Sequence, residues 1–257
     1  PSDLQPQETE ILRFEDRETG DCTVQPHFDY PHAYLADLPS KLTATGVGRG
    51  YRADEAAEQT PPPRKEVQLR APLFEQGEKK LTPAEIGTAH HLFMQFCDFD
   101  AACAPNGVEN ELIRLAEKKI LSTEQAHAVD KRKIERFFAS DLYKTFMAEN
   151  KVRREFKFSV LVPAQAYFPV AADAPEENVL LQGVIDCLIE TRDGFVILDF
   201  KTDRIKKGGA VERAEQYRPQ LAAYARAVHE IYGRPVRACV LYFFHTGDTE
   251  WVPLDED

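Results

Sequence analysis

Residues 179–203 read Val-Leu-Leu-Gln-Gly-Val-Ile-Asp-Cys-Leu-Ile-Glu-Thr-Arg-Asp-Gly-Phe-Val-Ile-Leu-Asp-Phe-Lys-Thr-Asp. Two apolar runs flank Asp193-Gly194, a pair that favours the tight turn of a β-hairpin. The stretch therefore reads strand, turn, strand. Three charges stand where strands should be apolar: Asp186 in the first run, Asp199 and Lys201 in the second. Side chains alternate faces along a strand, so Asp199 and Lys201 share a face. A two-residue turn at Asp193-Gly194 sets Asp186 opposite Lys201, and a four-residue loop sets it opposite Asp199. Either even loop gathers all three charges on one face, and an odd loop would separate them.

Two carboxylates and an ammonium on one sheet face are costly unless partnered. A divalent cation resolves the conflict, because Mg²⁺ takes one or two carboxylates, keeps several waters and accepts phosphate oxygens. A lysine beside it can orient or deprotonate a water, which makes a metal-assisted phosphodiester hydrolysis site. The alternative is a salt bridge from Lys201 to Asp186 or Asp199 with no chemistry. Gly183, inside the first strand, marks a close approach of ligand or backbone.

Three segments carry a resemblance in order: Gly183-Val-Ile-Asp186, Leu198-Asp199-Phe200-Lys201-Thr202, and Gln216-Tyr-Arg-Pro-Gln220-Leu-Ala-Ala-Tyr224. Together they resemble the RecB-family branch of the PD-(D/E)xK nucleases, and within it the nuclease domains of AddA-type helicase–nuclease subunits. The likeness runs from about Leu81 to Leu254, with a weaker echo between Tyr30 and Thr45. It implies an α/β fold with a restriction-endonuclease-like core: a mixed central sheet flanked by helices. It implies Mg²⁺, with Mn²⁺ as a substitute, held by Asp186, Asp199, the Phe200 carbonyl and His91. Lys201 would act on the attacking water, with Asp186, Asp199 and Lys201 as the catalytic set. The implied substrate is single-stranded DNA from an unwound duplex, cut to leave a 5′-phosphate in double-strand-break repair. The implied partners are an AddB-like protein and a helicase motor in the same polypeptide. The competing readings are a non-cleaving DNA-binding or docking module and a hydrolase of another phosphoester.

Working outward, Thr82-Pro83-Ala84-Glu85 combines a capping box with proline at the first helical position. Ile86, Ala89, His90, Phe93 and Cys97 then form one stripe, with Gly87, His91 and Met94 beside it. Periodicity does not choose between His90 and His91. The resemblance does, since Gly87-Thr-Ala-His-His91 matches a G-T-x-x-H motif whose histidine sits by the metal. Residues 108–149 read as short core-forming helices with caps at Ser122 and Asp130, and Lys131-Arg132-Lys133 reads as a solvated face.

Residues 155–162 alternate, with Phe156, Phe158, Val160 and Val162 on one face of a half-buried strand. Glu155 either helps organise the metal site or pairs with Arg153 or Arg154 at the surface. Arg154-Glu155-Phe-Lys-Phe158 resembles the family's R-E-x-P-F strand, with lysine in place of proline. After the hairpin, Arg204, Lys206 and Lys207 are placed to contact phosphates. One long helix is expected from about Val211 to Tyr232. On it Gln216, Gln220 and Tyr224 share a face and Tyr217 lies on the adjoining apolar side. The resemblance puts Gln220 and Tyr224 near the active site and DNA; core packing is the alternative for Tyr217 and Tyr224. Residues 236–244 form a further strand, so a helix joins two strands in a βαβ unit.

The chain has 257 residues, 43% of them hydrophobic, and a net charge of −11. Composition fits a globular protein with a real core. No apolar run spans a membrane and no signal peptide is evident, so a cytoplasmic location is expected. The five scattered cysteines form no C-x-x-C pair and lack iron–sulfur spacing, which leaves no cluster or zinc framework. No G-x-x-x-x-G-K-[ST] loop occurs, so no ATP site is expected in this chain. Acidic and basic residues balance between residues 151 and 224, and the acidic surplus lies elsewhere. Long-range attraction therefore does not gather DNA here, and delivery by a motor fits. The absence of an initial methionine suggests a piece of a longer chain. Residues 1–80 read as extension and linker, with a turn at Thr19-Gly20-Asp21, and residues 81–257 as the nuclease domain.

Overall fold

The computed structural model describes residues 33–36, 38–47, 81–174 and 176–254. The expected turn at Thr19-Gly20-Asp21 and most of the proline-rich stretch lie outside these residues. The chain divides into two compact units, Pro1–Asp37 and Leu38–Asp257. Of the first, the description covers a single 3-10 turn, Ala33–Leu35. All that follows concerns the second.

A six-stranded mixed sheet forms the centre, in the order β1-β3-β4-β5-β6, with β2 paired to β3 off this path. The strands are β1 (Lys41–Thr43), β2 (Lys151–Pro163), β3 (Asn178–Thr191), β4 (Gly194–Lys201), β5 (Val236–Phe243) and β6 (Asp248–Val252). The expected hairpin is β3–β4, and its ladder closes at Thr191↔Gly194. Extending that register sets Asp186 opposite Asp199, the outcome of the longer of the two even loops. Gly194 is required there: its φ is +148°, and a Cβ would lie 2.3 Å from the Pro235 carbonyl oxygen.

β4 is parallel to β5, and the intervening helices complete the βαβ unit. The single helix expected over 211–232 is instead two: α6 (Ala210–Glu215) and α7 (Arg218–Tyr232). Pro219 explains the break, since proline disfavours helical backbone in the residue before it and starts helices well.

Each face of the sheet carries a core. On one side Cys187, Ile189, Leu198, Phe200 and Tyr242 pack against α1 (Pro83–Phe96), the short α2 (Phe99–Ala102), α3 (Gly107–Glu117) and α5 (Lys131–Ala139). The expected caps are present: Thr82 and Glu85 close a capping box on α1, and Ser122 and Gln125 close one on α4 (Thr123–Ala128). On the other side Leu188, Ile197, Leu241 and Phe243 pack against α6 and α7. No helix among the described residues is long and apolar enough to cross a membrane.

β1 departs from the sequence reading. Lys41–Thr43, expected in the linker, pair in parallel with Leu180–Gln182 of β3. β1 and β4 thus line the same edge of β3 at its two ends. Between Gln182 and Cys187 the edge has no ladder partner among the described residues. This notch positions the site.

Candidate active site

β4 is buried from Gly194 to Phe200, and its charges fall where it emerges at the notch. A cleft of about 310 Å³ opens there, lined by His91, Asp186, Asp199, Phe200, Lys201, Tyr217, Gln220 and Tyr224 among others. The three charges of the hairpin therefore share one cavity. The Asp186 Oδ2 atom accepts a 2.7 Å hydrogen bond from the Phe200 N–H. A carboxylate thus stands where a ladder carbonyl would be. A residue's N–H and C=O point to the same side of a strand, so the Phe200 carbonyl also opens towards Asp186.

His91 reaches the notch from α1, its Nδ1 3.2 Å from Asp186 Oδ1. Gly87 makes this possible. A Cβ at Gly87 would lie 2.8 Å from Thr202 Oγ1, so only glycine lets α1 press on the residue after Lys201. Burial alone would lower the His91 pKa, but the bond to Asp186 and the charges of Asp186 and Asp199 outweigh it and hold the ring above its ordinary value. His90 is 3% exposed. Its Nδ1 donates to the Ile86 carbonyl at 2.9 Å and its Nε2 accepts from the Asp130 N–H at 3.3 Å. Both ring nitrogens of His90 are occupied within the fold, while His91 faces the cleft.

Glu155 completes a cluster with His91 and Asp186, in which one ligand atom from each lies within 4.8 Å of the others. Glu155 has a left-handed backbone, φ +50°, which costs free energy in a non-glycine residue. The β2–β3 ladder runs on one register from Lys151↔Glu190 to Pro163↔Asn178 but omits Glu155 and Asp186. Next to it, Arg154 donates to the Met94 and Cys97 carbonyls at 3.0 and 2.6 Å, tying β2 to the end of α1. Burial, then the Asp186 charge, pushes the Glu155 carboxyl above its ordinary range.

Asp199 is 4% exposed. It is turned to Lys201, whose Nζ lies 2.8 Å from its Oδ2, and it is not in the His91–Glu155–Asp186 cluster. Burial raises the Asp199 pKa, with the Lys201 charge opposing the shift. Lys201 Nζ also donates to Gln220 Oε1 at 3.3 Å, and Gln220 Nε2 donates to Tyr224 Oη at 2.7 Å. The ammonium sits 3.7 Å from the centre of the Tyr217 ring, a cation–π contact. Asp203 accepts from the Tyr217 hydroxyl and from Arg213, which holds that ring in place. Lys201 is thus confined by a carboxylate, an amide and an aromatic face.

A model of the PD-(D/E)XK nuclease superfamily matches residues 64–252. This chain belongs to that superfamily. It is 40% identical over 221 residues to the A-type subunit of the ATP-dependent helicase/nuclease of Moorella thermoacetica, a match covering 85% of this chain and 15% of that protein. It is 35% identical over 224 residues to the protein of the same name from Desulforudis audaxviator, and 38% over 223 residues to that from Desulforamulus reducens. Each of those matches covers 86% of this chain and 18% of the relative. The chain thus spans less than a fifth of the length of these relatives.

In this PD-(D/E)XK chain, Asp199-Phe200-Lys201 forms the D-x-K end of the signature. Ile185 stands where the signature has proline. Of the other residues singled out from sequence, Gln220 and Tyr224 line the cleft. Arg204 is exposed and is not among the residues lining it. Gln216 precedes the α6–α7 break and accepts from Arg213 instead. Tyr217, assigned to the apolar side of one long helix, faces Lys201 because that helix is broken. Tyr217 and Asp203 are the cleft residues that sequence reasoning missed. The signal was Pro219, which places Tyr217 ahead of a new helix rather than within an old one.

Proposed function

We propose that this chain is the metal-dependent deoxyribonuclease domain of an AddA-type helicase–nuclease subunit. Its reaction is hydrolysis of phosphodiester bonds in single-stranded DNA during double-strand-break repair. The observation that carries the reading is the pairing, in one open cleft, of a His91–Glu155–Asp186 cluster with a confined lysine.

Two crowded carboxylates and a histidine form a hard, oxygen-rich donor set that fits Mg²⁺ or Mn²⁺. Asp186, His91 and Glu155 would hold the ion, with the Phe200 carbonyl and Asp199 completing its surroundings. Such an ion polarises the phosphoryl oxygen and lowers the pKa of a bound water. Lys201 orients the attacking water and offsets charge growing on the phosphate. Asp199, Gln220 and Tyr217 fix the lysine for that task. The water oxygen attacks phosphorus in line, the bond to the 3′-oxygen breaks, and that oxygen takes a proton from solvent. A 5′-phosphate and a 3′-hydroxyl result. The names of the relatives support a motor in the same full-length polypeptide and an AddB-like partner protein, and a cytoplasmic location.

The test is direct. Linear single-stranded DNA is incubated with the purified chain and Mg²⁺, with and without EDTA, beside Lys201→Ala. Cutting abolished by EDTA and by the substitution supports the reading. Cutting that survives Lys201→Ala sinks it, and DNA binding without cutting would make the chain a docking module.

A further inference from the structure

A second groove, of about 570 Å³, adjoins the cleft. It shares Thr45, Val184 and Tyr224 with the cleft and continues past Gly183 to Thr43, Lys157, Ser159 and Gln182. It follows β3 from the notch towards the paired segment of β1. From Asp186 to Gln182 that is roughly 13 Å of strand at about 3.3 Å per residue, more than the width of one sugar–phosphate unit.

The lining is mixed in a specific way. Thr43, Thr45, Ser159 and Gln182 offer hydroxyl and amide groups, and Lys157 is the single cation among the lining residues. Val184 presents an apolar surface and is 37% exposed. Gln182 Nε2 already donates to Ser159 Oγ at 2.9 Å, which fixes both side chains at the rim. Gly183 keeps the floor low. A Cβ there would lie 2.6 Å from the Phe158 ring and 3.1 Å from Ala44. A groove held together by one charge does not grip a polyanion mainly through its phosphates. Hydroxyl and amide donors around an apolar floor suit a strand whose bases are unpaired and free to lie against the protein. A duplex hides those surfaces.

We infer that this groove seats the nucleotides next to the scissile phosphate, on one side only, and that it selects single-stranded over paired DNA. The inference rests on the nuclease reading for the identity of the cleft, but its binding can be read without cleavage.

The experiment uses the full chain and end-labelled oligothymidylates of increasing length. Binding is followed by fluorescence anisotropy in Ca²⁺, and cleavage in Mg²⁺. The variants are Lys157→Glu with Ser159→Glu, both exposed on β2, and Lys157→Ala. Leu161→Gln, on the same strand face but outside the groove, is the control. For the wild type, Kd and KM fall as the oligothymidylate lengthens, and a fully paired duplex binds at least about tenfold more weakly. In the double variant the gain with length disappears, and KM for long oligomers rises about tenfold. Lys157→Ala lowers the slope of log affinity against log salt by about one. The control behaves as wild type. A double variant that keeps the length dependence overturns the inference, and so does equal binding of duplex and single strand. If the wild type binds through the groove but does not cut, the groove stands and the nuclease reading falls.

Discussion

Lys201 is the residue on which the chemistry turns, and its surroundings show why a lysine is needed. Its ammonium meets Asp199 at 2.8 Å, Gln220 at 3.3 Å and the Tyr217 ring at 3.7 Å. Alanine at 201 should reduce cleavage by about 10²–10⁴-fold, the range for a lost proton-handling group. The Tm gained on adding Mg²⁺ should survive, since the His91–Glu155–Asp186 cluster is intact. Tyr217 separates positioning from mere packing. Tyr217→Phe keeps the aromatic face, so kcat should stay within about threefold of wild type. Tyr217→Leu removes the cation–π contact, and kcat should fall about tenfold or more with little change in KM. Equal losses in the two variants would assign the role to the hydroxyl. Asp186, Asp199 and Lys201 were legible in the sequence because charges interrupt apolar strands. The His91–Glu155 contact was not, because it depends on a left-handed residue that no periodicity announces.

Helix caps and strand alternation were the most readable elements, since both are local. Thr82, Ser122 and Asp130 cap the helices they were expected to cap. What failed was continuity. The α6–α7 break depends on Pro219, and β1 depends on a long-range pairing invisible in its own three residues. One polar cluster between helices gives an element-scale prediction. Glu111 of α3 accepts from the Asp98 N–H at 2.6 Å and from the Arg114 Nε and Nη2 atoms at 2.7 and 2.6 Å. The Arg114 bond holds its pKa below the ordinary 4.5. A depressed carboxyl contributes stability above the unfolded pKa and loses it as pH falls through the folded one. Glu111→Gln should therefore cost about 1–3 kcal/mol at neutral pH. In denaturant titrations the deficit should shrink as pH drops below about 4.5. A deficit independent of pH would rule out the ion pair as its source.

Across the whole molecule, two helical layers close on one sheet and leave it open only at the notch. Metal binding at that point acts on the folded state alone, so Mg²⁺ should raise Tm by mass action. At a hundredfold excess over Kd the gain is about 2.7 kcal/mol, which is roughly 5–10 °C for a chain of this size. Glu155→Gln should behave in two opposite ways in calorimetry. It relieves repulsion with Asp186, so the metal-free protein should melt higher than wild type. It also weakens the donor set, so the Mg²⁺ increment should shrink. A lower melting point without metal would contradict the crowding described here.

The same topology gives the notch two unlike walls. β4 is covered on both faces and flanked on both edges, whereas the three residues of β1 pair on one edge only, helped by bonds from Leu180 to Ser40 and from Ala44 to Gln182. Amide hydrogen exchange should therefore keep two clocks: a slow one for residues 196–200, set by global unfolding, and a fast one for residues 42–44, set by local fraying. Peeling of β1 would unseat Thr45 while leaving Asp199 and Lys201 fixed, so the site has a hinged side and an anvil.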